Sequence, residues 1–252
     1  MHVDGGNNSH VPTQVVFNND GTKMFVVNHA NRRSVDYWSL TTAFDVSTAS
    51  FDGKYSLIGK EQRANSIAFN NDGTRMFIAG VGNNSQVRVH EFSLDTAFDL
   101  SSGVTQLNTE DLISFQNHID GVTFNYDGTK MYTITLMNKD GTEARDLMSQ
   151  FKLTTPYDVS TLSLEGTYTV SSVSGDSREV VFSNDGSKMF IIDDDNDKVH
   201  EFNLSCNWSV IDGACDDPAD DKEISSSIES QTETAKQISI QASTPVLNRM
   251  YW

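Results

Sequence analysis

The stretch VVFNNDGTKMF, residues Val15–Phe25, decides the fold because the chain repeats it three more times. The further copies begin at Ile67, Val122 and Val180, and each keeps the Asp-Gly pair followed by Thr or Ser, Lys or Arg, and Met. The phenylalanines that close the first apolar run are spaced 52, 55 and 58 residues apart, at Phe17, Phe69, Phe124 and Phe182. The chain therefore consists of four related units.

Each copy predicts a strand, a tight turn and a second strand. The Asp-Gly pair supplies the positive φ that a tight hairpin requires. The first strand is apolar at consecutive positions, which indicates burial on both of its faces. Two more β-rich runs follow within each unit, as in Ser34–Leu40 and 54–59 of the first one. Four short strands in a repeated unit are the arrangement of a β-propeller blade.

A short connector joins the third and fourth strands of the units. It reads TAFDVS at Thr42, TAFDLS at Thr96 and TPYDVS at Thr155. We expect its aromatic residue to pack beneath the sheet, and its Asp and Ser to hydrogen-bond the turning backbone.

The predicted fold class is all-β, a propeller with four visible four-stranded blades and a short C-terminal helix. Four blades could close as a four-bladed ring or form an arc of a larger one. For the last unit, 208–211 is the candidate fourth strand, and the spacing of Ile224, Ile228, Ala235 and Ile238 predicts a weakly amphipathic helix after it. The predicted segments are a lead-in at 1–11, repeats at 12–62, 63–115, 116–174 and 175–215, and an acidic linker with the helical tail at 216–252.

The Asp-Gly-Thr-Lys-Met-Phe hairpins resemble the inner strands of bacterial propellers of the WD40-like, TolB and YVTN kinds. The resemblance covers residues 12–204 and implies the fold. It implies no particular chemistry, because propellers host binding modules and enzymes alike.

The tail carries a second resemblance. The acidic linker, the polar helix and the stretch TPVLNRMYW at 244–252 are similar to the junction before the outer-membrane barrel of autotransporter-type proteins from marine bacteria. This resemblance implies a passenger on the bacterial cell surface or outside the cell, with the periplasm as an alternative. It also implies outer-membrane attachment through a C-terminal barrel that this sequence lacks.

The net charge and the absence of known catalytic motifs limit the classes of function that the sequence allows. The formal net charge is −17, from 18 basic and 35 acidic side chains, which argues against a nucleic-acid partner because its phosphates would be repelled. The sequence has no Gly-x-Ser-x-Gly elbow, His-Glu-x-x-His pair, Walker loop or Cys-x-x-Cys motif. These features favour a binding module over an enzyme.

The residues that lead into the inner strands are expected to converge at the mouth of the central channel. An oxygen-rich cluster there could bind a polar ligand or a divalent cation, and a histidine would bias it toward a transition metal. Alternatively, these side chains cap exposed strand ends, with Arg178 and Glu179 as a surface ion pair. The candidate ligand-binding residues are Gln14, Asn65, His118, Asp120, Arg178 and Glu179.

Two more features bear on ligands and location. Alternate oxygens at Asp193, Asp195 and Asp197 could hold calcium, although the loop lacks the Gly and Glu of an EF-hand and could simply be a solvated turn. Cys206 and Cys215 could form a disulfide, which would imply an oxidising compartment; the alternative is two thiols in a reducing cytosol.

Three functions are compatible with these patterns. The first is a secreted or surface-displayed module, without enzymatic activity, that binds a protein or a carbohydrate. The second is a propeller hydrolase resembling calcium-dependent lactonases, with a metal held by at least three of the polar residues at the channel mouth. The third is a phage tail or fibre component, which would be an oligomer.

Overall fold

The computed structural model describes residues 11–29, 33–82, 86–135, 147–170, 177–194 and 196–211, and the backbone of a strand at 226–229. These residues form four antiparallel sheets of four strands each, arranged as a four-bladed β-propeller. The predicted all-β fold class is therefore confirmed. In the described part of the chain, no helix is long and apolar enough to cross a membrane.

The strands follow chain order within every blade, and the first strand of each blade lies innermost. Blade 1 contains β1 (Val11–Phe17), β2 (Lys23–His29), β3 (Ser34–Leu40) and β4 (Ala49–Ser56). Blade 2 contains β5 (Arg63–Phe69), β6 (Arg75–Val81), β7 (Val87–Leu94) and β8 (Val104–Asp111). Blade 3 contains β9 (Gly121–Phe124), β10 (Lys130–Thr135), β11 (Leu147–Leu153) and β12 (Leu162–Thr169). Blade 4 contains β13 (Ser177–Phe182), β14 (Lys188–Asp193), β15 (Lys198–Asn203) and β16 (Ser226–Glu229).

The repeated hairpin joins the two inner strands of every blade, as predicted. In blade 1, Asp20 Oδ1 accepts a hydrogen bond from the Thr22 N–H at 3.0 Å, and Gly21 has a φ of 71°. Asn18 Oδ1 accepts from the Lys23 N–H at 2.8 Å. The turn is thus held by side chains that lie within five residues of each other, which is why the motif is recognisable in the sequence.

The connector aromatic was expected beneath the sheet, and it packs against the hairpin turn that joins the two inner strands. In blade 1 the Phe44 N–H donates to the Gly21 carbonyl at 2.9 Å, and a Cβ built on Gly21 would lie 2.4 Å from the Phe44 ring. The predicted Asp and Ser contacts are also present, since Asp45 Oδ1 accepts from the Ser47 N–H at 3.0 Å. Glycine is required in the turn because the aromatic ring occupies the position of its side chain.

Blade 4 differs from the prediction in its last strand. Trp208 lies in the connector, with a φ of 61° and its N–H bonded to the Gly186 carbonyl at 2.9 Å, so 208–211 is not a strand. The fourth strand is Ser226–Glu229, which pairs with β15 and begins where a helix was predicted. The 3.6-residue spacing was misleading because hydrogen bonding to a sheet edge outweighs a weak helical pattern. The rest of the predicted helix and the lead-in at 1–10 lie outside the described residues.

The apolar core lies between blades. Three clusters of buried side chains each combine two neighbouring blades: 1 with 2, 2 with 3, and 3 with 4. Aromatic pairs mark the three seams, with ring centroids 4.7 Å apart for Phe25 and Phe69, and 4.3 Å apart for Phe77 and Phe124. Tyr132 and Phe182 form the third pair at 4.4 Å. Blade-to-blade burial of apolar surface therefore stabilises the fold.

Candidate functional site

One end of the propeller axis is formed by the residues that lead into the inner strands. Four aligned positions meet there, three residues before each repeat phenylalanine: Gln14, Ser66, Gly121 and Glu179. The Gln14 side-chain carbonyl accepts from the Ile67 N–H, and Ser66 Oγ accepts from the Val122 N–H at 3.0 Å. In blades 1 and 2 this position therefore hydrogen-bonds the backbone of the next inner strand.

Glu179 fills the space that Gly121 leaves. A Cβ built on Gly121 would lie 2.8 Å from Glu179 Oε1, and that oxygen accepts from the Val180 N–H at 3.1 Å. Glu179 Oε2 accepts a hydrogen bond from Gln14 Nε2, which joins blade 4 to blade 1 near the axis. Both side chains are buried, so two of the six candidate ligand-binding residues are engaged with each other.

Asn65 also forms a hydrogen bond with the neighbouring blade. Its Nδ2 donates to the Ile119 carbonyl at 2.7 Å, just before Asp120 in the chain. The His29 side chain lies against Asn65, and burial, together with the charge of Arg63, lowers the pKa of His29. His29 is not among the predicted site residues, because it ends the second strand of its blade whereas those residues precede the first strands.

His118, Asp120 and Arg178 form a polar cluster at this end of the axis. His118 Nδ1 lies 3.1 Å from Asp120 Oδ2, and Arg178 Nη1 lies 3.8 Å from Asp120 Oδ1. Arg178 Nη2 also lies 3.3 Å from Asp194 Oδ2. A carboxylate in this position fixes the tautomer and orientation of an imidazole, and the guanidinium could attract an anion. This cluster brings together three of the six candidate ligand-binding residues.

Metal binding has little geometric support in the described residues, where no three His, Cys, Asp or Glu side chains are grouped to hold an ion. The Asp193 carboxylate is buried, contacts His200 Nε2 at 3.0 Å and accepts from Asn196 Nδ2 at 2.8 Å. Asp197 has a φ of 51°, and Asp195 lies outside the described residues. Cys206 is disulfide-bonded, and its predicted partner Cys215 also lies outside the described residues.

A depression at the opposite end of the axis receives side chains from all four blades. Asn19, Asn71, Tyr126 and Asn184 occupy equivalent positions two residues after each repeat phenylalanine, and all four line it. Asn19 Nδ2 donates to the Asn71 carbonyl at 2.5 Å, and Asn71 Nδ2 donates to the Tyr126 carbonyl. The cavity volume is about 70 Å³. The sequence predicts turn positions for these asparagines. Their recurrence in three of the four copies was a usable signal for a shared binding surface.

Aromatic residues complete the lining of the depression. They include the two connector residues Tyr157 and Trp208. Burial raises the pKa of Tyr157, so its phenol remains protonated, and its hydroxyl donates to the Tyr126 carbonyl at 2.8 Å. None of the thirteen lining residues is charged: they are Asn19, Phe69, Asn70, Asn71, Thr123, Phe124, Asn125, Tyr126, Tyr157, Val181, Phe182, Asn184 and Trp208.

Several solved structures resemble this chain in fold. A 6-phosphogluconolactonase-like protein from Bacteroides uniformis matches with a TM-score of 0.50 at 15% identity, over 77% of this chain and 50% of that one. Kuenenia stuttgartiensis hydrazine synthase matches with a TM-score of 0.50 at 9% identity, over 77% and 53%. The periplasmic gluconolactonase PpgL of Pseudomonas aeruginosa matches with a TM-score of 0.47 at 16% identity, over 77% and 50%.

The two matches with a TM-score of 0.50 agree with the fold and leave the activity open. The chain spans about half the length of the structures that it matches. No protein-family model and no curated protein matches the sequence. The comparisons give no support to the resemblance between the tail and an autotransporter linker.

Proposed function

We propose that this chain is a non-enzymatic binding module that recognises a neutral carbohydrate at the depression lined by Asn19, Asn71, Tyr126 and Asn184. The observation that carries the proposal is the uncharged lining of amides and aromatic rings contributed by four blades. The lining residues are uncharged, and the nearby carboxylates of Asp72 and Asp127 act on Tyr157 in a molecule whose net charge is −17, which favours an uncharged ligand over an anionic one.

The chemistry of the lining suits a sugar. A carboxamide offers both donors and an acceptor to hydroxyl groups, and an aromatic ring offers a face to the apolar side of a pyranose. Tyr126 is 57% exposed, so its ring can meet a ligand without rearrangement of the core. A few polar groups that converge in a concave, partly aromatic surface are the usual composition of a small-molecule site.

Titration calorimetry with maltotriose, cellotriose and chitotriose tests this proposal. We expect one of them to bind the wild-type chain, and we expect Tyr126→Ala and Asn184→Ala each to weaken binding at least tenfold. Both residues are exposed, so the variants should keep the wild-type fold. Asn203→Ala is the matched control, because Asn203 is an exposed asparagine outside the depression. Equal affinity for wild type and Tyr126→Ala, or no binding of any of these sugars, would refute the proposal.

Lactone hydrolysis is a second candidate function, and it rests on the cluster of His118, Asp120 and Arg178. The contact of 3.1 Å between His118 and Asp120 would let the imidazole act as a general base toward water, while Arg178 would stabilise the negative charge on the attacked carbonyl. The version of this function with a metal at the channel mouth remains a prediction. Release of acid from glucono-δ-lactone, abolished in His118→Ala but retained in Tyr126→Ala, would support the hydrolase.

An extracellular, cell-surface or periplasmic location is part of the proposal. The disulfide at Cys206 supports it, because such bonds persist in oxidising compartments. Mass spectrometry of the chain isolated from its native host under thiol-blocking conditions would test it. Alkylated Cys206 and Cys215 in that material would argue for a reducing compartment.

A further inference from the structure

The hydrogen bonds that link the blades at the depression repeat one pattern. A side-chain amide in one blade donates to the backbone carbonyl at the equivalent position of the next blade. Asn19 Nδ2 donates to the Asn71 carbonyl at 2.5 Å, and Asn71 Nδ2 donates to the Tyr126 carbonyl. Each of these links therefore needs a carboxamide in one blade and an open carbonyl in the next.

Tyr126 ends the series, because its side chain has no amide. The Asn184 carbonyl comes next, and among the described residues no group donates a hydrogen bond to it. The Tyr126 carbonyl, in contrast, has two donors, Asn71 Nδ2 and the Tyr157 hydroxyl at 2.8 Å. In blade 4 the connector aromatic is Trp208, which carries no hydroxyl. Blade 4 thus lacks both of the donors that serve blade 3.

The side chain of Asn184 is open as well. It is exposed, and its amide donates to no other group in the part of the chain that the structure describes. Asn184 therefore presents a free acceptor, its backbone carbonyl, and a free donor, its side-chain amide. Phe182 and Trp208 form an apolar wall beside it, since their ring centroids are 5.3 Å apart and both residues line the depression.

The size of the depression limits what can enter it. Its volume is about 70 Å³, whereas sites for whole small molecules measure about 300–1,000 Å³. The depression can therefore take one substituent of a sugar, and the pyranose ring stays outside. The exposed ring of Tyr126 lies at this rim and can stack against the sugar there.

We propose that the depression takes the acetamido group of an N-acetylated sugar, an inference that rests on the proposed carbohydrate-binding function. The acetamido N–H supplies to the Asn184 carbonyl the donor that asparagine side chains supply to the Asn71 and Tyr126 carbonyls. The acetyl carbonyl accepts from Asn184 Nδ2, and the methyl group packs against Phe182 and Trp208. A hydroxyl group would reach only one of these polar groups and would bring no apolar surface to the wall.

Two sugars that differ in one substituent test this inference. Triacetylchitotriose and cellotriose have the same backbone and linkage, but the first carries an acetamido group where the second carries a hydroxyl. In titration calorimetry we expect triacetylchitotriose to bind at least tenfold more tightly. Equal affinities, or tighter binding of cellotriose or maltotriose, would overturn the acetamido assignment and leave carbohydrate binding intact. No binding of any of these sugars would refute the proposed function and this inference together.

Asn184→Asp tests the contact itself. The variant keeps the backbone carbonyl and the size of the side chain, but it replaces the amide donor with a carboxylate that repels the acetyl carbonyl. We expect the affinity for triacetylchitotriose to fall at least tenfold. Asn203→Asp is the matched control, because it adds the same charge at an exposed asparagine outside the depression. Wild-type affinity in Asn184→Asp would overturn the role of Asn184, and circular dichroism of both variants excludes misfolding as the cause of a loss.

Saturation-transfer NMR reports which part of the sugar enters the depression. Because the acetyl methyl group packs against two aromatic rings, we expect its protons to receive the largest transfer from the protein and to shift upfield. A larger transfer to the protons of the pyranose ring would place that ring in the depression and overturn the inference.

Discussion

At the scale of single residues, the hairpin glycines are the most constrained positions of the chain. Gly73 has a φ of 71°, and a Cβ built there would lie 2.1 Å from the Phe98 ring. We expect Gly73→Ala to destabilise the protein by about 2–4 kcal/mol, because it combines backbone strain with overpacking. Gly59→Ala is the control, since Gly59 has a φ of 84° but nothing within 4 Å, and it should cost about 1 kcal/mol. Equal urea midpoints for the two variants would contradict this account.

The turn aspartates give the protein an acid-sensitive contribution to stability. Hydrogen bonds from Ser183 Oγ, the Ser187 N–H and Ser187 Oγ lower the pKa of Asp185 from 3.8 to about 2. A lowered pKa in the folded state means that the stabilisation is complete above about pH 4 and is lost as the pH falls to about 2. We expect Asp185→Asn to be less stable than the wild type at neutral pH, and we expect that gap to shrink near pH 2. Urea unfolding at several pH values measures it, and a gap that does not change with pH would refute the prediction.

At the scale of elements, the third strands of blades 2 and 3 each fasten the connector of the next blade through a hydrogen bond. The Glu91 side chain is fully buried, and it accepts from the Val159 N–H at 3.1 Å and from Asn108 Nδ2 at 3.0 Å. Glu91→Ala should cost about 3 kcal/mol, because it leaves the buried Val159 N–H without its acceptor and Arg75 without its carboxylate partner. Glu201→Ala, at the equivalent position with a 32% exposed side chain, should cost less than about 1 kcal/mol. Denaturant titration measures the free energy of unfolding of both variants. Similar losses of stability would show that the hydrogen bond from the third strand to the next connector does not stabilise the seam.

At the scale of the whole molecule, the blades differ in how many neighbours cover them. Blades 2 and 3 are packed on both faces, whereas blades 1 and 4 each share one apolar cluster with a neighbour. We therefore expect amides of β6 and β10 to exchange with deuterium at least tenfold more slowly than those of β2 and β14. Hydrogen exchange followed by mass spectrometry measures this difference. Uniform protection of the four strands would mean that the propeller opens as one cooperative unit.

The sequence was sufficient for those parts of the fold that depend on neighbours in the chain. The Asp-Gly hairpins, the connector aromatics and the Asp–Ser caps were all predicted, because residues such as Asp20 and Thr22 make their contacts within a few positions. The period of the repeat then fixed the number of blades. The last strand escaped prediction because 22 residues separate the end of β15 at Asn203 from Ser226, and no local signal marks a strand that depends on pairing with β15.

Only the tertiary structure decided which side chains meet. Gln14 and Glu179 are 165 residues apart, and their contact depends on how four blades rotate about one axis. The same rotation brings Asn19, Asn71, Tyr126 and Asn184 into one depression and leaves Val46 exposed while Leu100 is buried. Turn chemistry and strand period are local and can be read from the order of residues. Convergence at an axis and exposure at a seam are set by packing between units, which no short stretch of the chain encodes.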